Sequence, residues 1–213
     1  FTTTDTNIKF ETSDVELADN VSLTVTTGGS TAGDITFDGS IHGTAGGTDA
    51  THIAGLTSGT GTVTLNAIDT DIEDITITNA SSGSTVLKGN ITTANNGVLS
   101  ITGDTKIDVA TLAIDTTAGG GGAVTITGKL DSLTSSRNLD INSGTAVTQI
   151  TDDIGDTLAF TSLDINAVAG DSTNTGGVTL GGNIGGTAAG SGDTAIGNTA
   201  TTGAITLSGT TYF

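Results

Sequence analysis

One short pattern recurs along the chain and limits what it can fold into. Its clearest form is residues 33–41 (GDITFDGSI), in which apolar side chains stand at every second position between glycines. That alternation is the period of a half-buried β-strand, and the flanking glycines are typical of turns. Residues 122–130 (GAVTITGKL) are the closest copy. Looser copies start at Gly61, Gly83, Gly97, Gly176 and Gly203.

The spacing of these copies favours a β-solenoid. Most copies start roughly 22–28 residues after the one before, which suits one coil per copy. The interval from Gly122 to Gly176 is twice as long and suits two coils, whereas the interval from Gly83 to Gly97 is shorter and suits part of one. A single coil cannot bury its apolar face, so its stacked neighbours must supply the core. The alternative fold is a β-sandwich. We treat residues 1–213 as one repetitive β domain, either complete or a segment of a longer chain.

The composition agrees with a thin aliphatic core. The chain has 47 threonines and 33 glycines, but no proline, cysteine, methionine or tryptophan, and aromatic residues make up only 3% of it. β-Branched residues pack well on a pleated surface. Too few aromatic rings are present to fill the thick core of an ordinary globular enzyme. No segment shows helical periodicity, so the prediction is all-β.

The alternation also places individual strands. It predicts three short strands between Ile8 and Val25, and further strands at residues 62–65 and 75–78. The stretch from His42 to Ser58 is rich in Gly, Ala, Thr and Ser, and is predicted to be a loop that leaves the regular stack.

The charge excludes two classes of partner. Twenty-three acidic residues against five basic ones give a formal net charge of −18. Such a surface repels nucleic acid and anionic membranes, so neither is expected as a partner. No apolar run approaches the length of a membrane span, and no membrane insertion is expected.

Two acidic turns are candidates for cation binding. Asp69, Asp71 and Asp74 could supply carboxylate oxygens to Ca²⁺, but their spacing matches no known calcium loop, and a solvated acidic turn is the alternative. Residues 152–156 contain a second, weaker acidic cluster. His42 and His52 are read as exposed loop histidines, because no third histidine or cysteine lies nearby.

The sequence gives little support to catalysis. No Gly-x-Ser-x-Gly nucleophile motif is present, and one arginine and four lysines leave few bases for lyase chemistry. We therefore predict a protein that is not an enzyme. Thr-x-Thr pairs begin at Thr24, Thr62, Thr76 and Thr125. Ice-binding solenoids present flat ranks of such pairs. In this chain the pairs are unevenly spaced along the sequence, which favours the interpretation that they are the solvent-facing residues of alternating strands.

The cadence of residues 33–44, 61–69, 122–130 and 176–190 resembles that of large bacterial surface exoproteins of the filamentous-haemagglutinin-like and autotransporter-adhesin-like kinds. The resemblance extends from about Asn7 to Leu207. It implies export to the cell surface, a repetitive β fold, and a role as a stalk, fibre, coat or adhesin. It brings no catalytic residues with it.

These observations predict an extracellular structural protein whose copies join head to tail into a filament. Open solenoid ends expose unpaired strand edges. Phe1, Tyr212 and Phe213 are the predicted anchors of the contact, because aromatic side chains bury a large area. The alternative is an adhesin or surface-layer segment that binds a host surface or a glycan, and ice binding is a lesser one. Apart from calcium, no cofactor is expected.

Overall fold

The protein is a parallel β-solenoid of about seven turns. The computed structural model describes residues 1–28, 33–44, 51–69, 71–80, 82–167, 174–185, 194–197 and 203–209. These residues contain strands that all pair in parallel, together with one 3₁₀ turn at Ala118–Gly120. The predicted solenoid is confirmed. Parallel pairing rules out the β-sandwich, because its sheets are antiparallel.

Each coil passes through three sheets in a fixed order, and strands of the same sheet stack on one another from coil to coil. Sheet I consists of β1 (Ile8–Phe10), β4 (Ile35–Phe37), β7 (Thr62–Leu65), β9 (Ser84–Leu87), β12 (Asp104–Ile107) and β15 (Leu130–Ser132). Sheet II consists of β2 (Val15–Leu17), β5 (Ile41–Gly43), β10 (Ile91–Thr92), β13 (Thr111–Asp115), β16 (Asn138–Asn142), β18 (Ser162–Ile165) and β20 (Thr194–Ile196), with Ile68 bridging its two parts. Sheet III consists of β3 (Ser22–Thr26), β6 (His52–Gly59), β8 (Ile75–Asn79), β11 (Leu99–Thr102), β14 (Val124–Thr127), β17 (Thr148–Ile150), β19 (Val178–Leu180) and β21 (Ile205–Leu207).

The strand register explains the uneven spacing of the repeated pattern. The first three copies form β4, β7 and β9 of sheet I, whereas the last four form β11, β14, β19 and β21 of sheet III. The short interval from Gly83 to Gly97 therefore runs from one sheet to another within a coil. The long interval from Gly122 to Gly176 spans two coils, because β17 lies between β14 and β19. Coils also differ in length, since Thr85 pairs with Thr105 whereas Ile165 pairs with the more distant Ile196.

The core is a set of aliphatic ladders that run along the axis. Ile77, Ile101, Ile126 and Ile150 occupy matching positions on consecutive strands of sheet III, and none is exposed. Alternate side chains on each strand point inward, as their burial patterns show. Burying each aliphatic side chain contributes about 1.5–3 kcal/mol, so stacking of coil on coil is the main source of stability.

Glycine corners allow the coils to stack closely. A Cβ atom added at Gly122 would lie 1.9 Å from the carbonyl oxygen of Gly97, and one added at Gly97 would lie 1.9 Å from that of Glu73. Buried hydroxyls bond to the glycine carbonyls: Thr93 Oγ1 donates to Gly97 O (2.9 Å), and Thr116 Oγ1 to Gly122 O (2.6 Å). The same arrangement occurs in the pairs Thr27–Gly33 and Ser58–Gly61. Six of the seven glycines that begin a copy are thus needed for space, and a buried Thr or Ser helps to close the turn before four of the copies.

The predicted loop from His42 to Ser58 is wrong in its described parts. His42 lies within β5, and residues 52–58 lie within β6, which pairs with β3 and β8. Ile53 and Leu56 point into the core, and a shift of register with β3 and β8 accommodates one extra residue at Ala54 and Gly55. Pairing with strands on both sides overrides the weak local β-propensity of this segment. Residues 45–50 of the predicted loop lie outside the described residues.

The glycine corners can be tested by adding one methyl group. Gly122→Ala should lower the free energy of unfolding by about 1–3 kcal/mol, because the new methyl overlaps the backbone of the preceding coil. The matched control is Gly55→Ala, where a Cβ has no atom within 4 Å. The control should unfold at or slightly above the wild-type temperature. Melting followed by circular dichroism measures both, and equal losses in the two variants would contradict this account.

Candidate functional site

The three sheets differ in charge. The strands of sheet I include Lys9, Asp104, Lys106 and Asp131, whereas those of sheet II include Glu16, Asp115, Asp140 and Asp164. The eight described strands of sheet III contain no Asp, Glu, Lys or Arg. In a chain with a net charge of −18, sheet III is therefore a neutral side of the solenoid.

The outer side of sheet III carries threonine and serine in register. One rank consists of Thr76, Ser100 and Thr125, which are paired on consecutive strands. A parallel rank, two positions along each strand, consists of Thr26, Thr57, Thr78, Thr102 and Thr127. We define the threonine face as the six positions on β8, β11 and β14: Thr76, Thr78, Ser100, Thr102, Thr125 and Thr127.

A third rank, of aliphatic side chains, borders the threonine face. Backbone hydrogen bonds place Val98, Ala123 and Val147 beside one another at the start of β11, β14 and β17, and the same position at the start of β8 is taken by Asp74. Val98 is 38% exposed and Val147 is 46% exposed. Beyond β14 the pattern changes, because Gln149 takes the position of Thr125 on the next strand. The strands of the threonine face thus present hydroxyl and methyl groups, and the Asp74 carboxylate, which accepts the backbone N–H of Val98, stands at their border where β8 begins.

An open groove of about 430 Å³ follows the corner between sheet III and sheet I. Its walls are formed by Asn79, Thr102, Gly103, Asp104, Thr127, Gly128, Thr151 and Asp152. Asp104 is tied to the next coil, because its Oδ1 accepts the backbone N–H of Lys129 at 3.1 Å. The groove offers hydroxyl and carboxylate groups to solvent along one edge of the threonine face.

Sheet II carries the opposite kind of surface. Asp140 and Asp164 are register partners on β16 and β18. Partial burial raises the pKa of the Asp140 carboxyl, and the carboxylates of Asp164 and Asp115 raise that pKa further. A hydrogen bond from Asn142 Nδ2 to Asp140 Oδ1 (3.0 Å) opposes the rise in pKa. Like charges on neighbouring strands destabilise a sheet, so Asp140 is a point of electrostatic strain.

The predicted calcium ligands lie in the turn between the Ile68 bridge and β8. Asp69 is exposed, and Asp71 has a left-handed backbone with φ of 71°. Asp74 Oδ1 accepts the backbone N–H of Val98 at 3.0 Å, and Asp74 Oδ2 lies 3.2 Å from His52 Nδ1. Within the described parts of the chain, no group of three or more His, Cys, Asp or Glu side chains is placed to hold a metal ion. Calcium binding by this turn stays a prediction without support from the geometry.

The other polar candidates have structural partners. Asp153 Oδ1 accepts the backbone N–H of Asn183 at 2.8 Å. Asp156 forms an ion pair with Lys129, and the hydrogen bond in this pair raises the pKa of the lysine. The reading of His42 and His52 as loop histidines is wrong, because both lie within strands and are half-buried. Asp153 and Asp156 thus each link two neighbouring coils.

Three of the five phenylalanines, Phe1, Phe10 and Phe37, lie together in the first two coils, whereas Phe160 is buried further along the solenoid. The rings of Phe10 and Phe37 stack with centroids 4.3 Å apart, and Phe1 packs edge-on against Phe10 at 5.4 Å. Phe1 itself is 71% exposed. The other two predicted anchors, Tyr212 and Phe213, lie outside the described residues.

Comparisons with protein-family models, with curated protein sequences and with solved structures found no match. Among the described residues there is no helix long and apolar enough to cross a membrane.

The strain at Asp140 predicts a dependence of stability on pH. A raised pKa means that the folded state binds the proton more tightly than the unfolded state. Protonation of Asp140 therefore stabilises the folded state fully at a pH below the pKa of this carboxyl in the unfolded chain. This stabilisation is lost as the pH rises through the pKa of Asp140 in the folded protein. Asp140→Asn should raise the melting temperature at pH 7 and change it much less at pH 3. Asp5→Asn, in an exposed turn, is the control, and a gain from Asp140→Asn that is equal at both pH values would contradict the prediction.

The calcium hypothesis makes a separate prediction. If the turn binds Ca²⁺, a chelator should lower the melting temperature, and Asp71→Asn should reproduce the loss and abolish the chelator's effect. Asparagine tolerates a left-handed backbone as well as aspartate does, so this variant removes a charge without adding strain. Calorimetry with and without EDTA measures the effect. An unchanged melting temperature would identify a solvated acidic turn.

Proposed function

We propose that this chain is a non-enzymatic structural segment of an extracellular surface fibre, and that its copies join end to end. The resemblance in cadence to bacterial surface exoproteins supports the extracellular location. The regular stacking of parallel strands supports the structural role, because a solenoid can lengthen by adding further coils to either end.

The observation that carries this proposal is incomplete burial at the two ends of the stack. Val178 and Leu180 on β19 are fully buried, whereas their register partners Ile205 and Leu207 on β21 are 46% and 45% exposed. At the other end, Phe1 is 71% exposed. Both ends of the described stack therefore present apolar side chains that a further coil, from the same chain or from another copy, would bury, as coils bury one another inside the stack.

The first coil also has strand edges that can accept a partner. In sheets I and II, β1 pairs only with β4 and β2 only with β5 among the described strands. Ile8 N donates to Asp34 O, and Asp38 N donates to Phe10 O. Backbone groups of a parallel strand point alternately to its two sides, so those of Lys9 face away from β4.

Part of the first coil is already covered. Thr26 N donates to Phe1 O, and Thr3 N donates to Thr26 O, both at 2.9 Å, so residues 1–3 pair with the end of β3. The proposed contact therefore uses the edges of sheets I and II and the exposed ring of Phe1. Burying one phenylalanine side chain contributes about 1.5–3 kcal/mol. A contact between unlike ends that does not close produces an open filament. The contribution of Tyr212 and Phe213 stays a prediction.

The end-to-end contact can be tested with a proline at the free edge. Lys9→Pro removes a backbone N–H that faces away from β4, so it should leave β1 in place while blocking a partner strand. The matched control is Lys9→Ala, which removes the same side chain and its ion pair with Asp38 but keeps the N–H. Electron microscopy and light scattering should show filaments for wild type and Lys9→Ala, and short species for Lys9→Pro.

Circular dichroism should show the same β spectrum for all three proteins. Filaments of normal length from folded Lys9→Pro would contradict pairing through sheet I. A wild-type chain that remains monomeric at high concentration would contradict the fibre itself.

The alternative function is that of an adhesin or surface-layer segment that binds a host surface or a glycan. The groove at the corner of sheets III and I favours it, because hydroxyl and carboxylate groups there could bond to sugar hydroxyls. Monomers that bind glycans in an array would support this alternative over the fibre.

A further inference from the structure

We propose that the threonine face binds ice. This inference concerns the side of the solenoid rather than its ends, and it does not depend on fibre assembly. The ligand is the surface of an ice crystal, which is an uncharged and regularly repeating array of water molecules.

The first support is the regular order of the face in two directions. Along the solenoid axis, register pairs Thr78 with Thr102 and Thr102 with Thr127, so their spacing follows the strand separation of about 4.7–4.9 Å. Along each strand, the two ranks are two positions apart, or about 6.6 Å. A repeating ligand can match such a grid at many points together. An ordinary small-molecule site needs only a few converging groups.

The second support is the chemistry of the side chains. A threonine presents one hydroxyl, which can donate and accept a hydrogen bond, and one methyl group, which orders water around it. Its β-branch restricts χ1, so the groups are already held in place before binding. The neighbouring rank of Val98, Ala123 and Val147 extends the methyl-bearing surface.

The third support is the distribution of charge. The strands of sheets I and II carry ionised side chains, whereas the described strands of sheet III carry none. Charged groups hold tightly bound hydration shells that do not fit the order of ice. The six hydroxyl positions are therefore complementary to a neutral ligand, and the nearest carboxylates, those of Asp74, Asp104 and Asp152, stand at the edges of the threonine face.

Other occupants fit the face less well. Sugar rings commonly stack on aromatic side chains, but the described strands of sheet III contain no Phe, Tyr or Trp. A protein partner usually needs buried apolar anchors, and only the Val98 rank provides any. A second copy, packed face to face through threonines, is the main rival and is included in the test.

The experiment compares two matched double variants of the full chain. Thr102→Tyr with Thr127→Tyr places bulky rings on adjacent strands of the threonine face. Thr36→Tyr with Thr64→Tyr places them on adjacent strands of sheet I, where the two threonines are also register partners. Tyrosine is favourable in strands, so both variants should keep the wild-type β spectrum. Ice affinity is measured as the partition of protein into a slowly growing ice hemisphere, together with thermal hysteresis.

The wild type and the sheet I variant should enter the ice and depress its growth temperature, and the sheet III variant should lose most of both activities. Exclusion of the wild type from ice would overturn the proposal. Equal activity of the sheet III variant would overturn it as well. A dimer in sedimentation experiments that only the sheet III variant dissociates, together with no ice affinity, would assign the face to a second copy instead. Because Lys9→Pro leaves this face intact, failure of the fibre and failure of ice binding are distinguishable.

Discussion

The structure depends on close stacking of one coil's backbone on the next. At Gly97 and Gly122 there is no space for even a methyl group between neighbouring coils. This close approach lets three parallel sheets form together and brings each aliphatic side chain against the equivalent side chain of the next coil. The buried hydroxyls of Thr93 and Thr116 satisfy carbonyl groups that the turns would otherwise leave without a partner. Glycine and a buried threonine are thus two parts of one corner.

The same stacking determines how charge is distributed on the surface. Since every coil visits the sheets in the same order, side chains of one kind accumulate on one side of the molecule. On sheet II this brings Asp140 and Asp164 together, at a cost in electrostatic repulsion. On sheet III it brings threonines together and excludes ionised groups. Sheet III therefore has strands without ionised side chains in a chain that is acidic as a whole.

The sequence predicted the class of fold but not the arrangement of its surface. Strict alternation located β1, β2 and β3, and the long interval after Gly122 and the short one after Gly83 correctly indicated two coils and part of one. Alternation could not locate β6, because Gly55 interrupts it and pairing with β3 and β8 determines the strand. It also could not show the threonine ranks. One of the Thr-x-Thr pairs, Thr62 and Thr64, belongs to sheet I, and Ser100 takes the place of a threonine in one rank. The coils also differ in length. The threonines that are regularly spaced on the surface are therefore unevenly spaced in the sequence.

The direction of the backbone hydrogen bonds has a mechanical consequence. In this solenoid they run along the axis, from coil to coil, so a pull on the two ends acts directly along them. Such a load breaks the backbone hydrogen bonds between two coils one after another. It does not shear all of them at the same time. Each coil that peels away would release about 70–100 Å of extended chain. A tether made of these coils would therefore lengthen in steps and absorb work before it breaks, and the remaining coils would template the return of each released one.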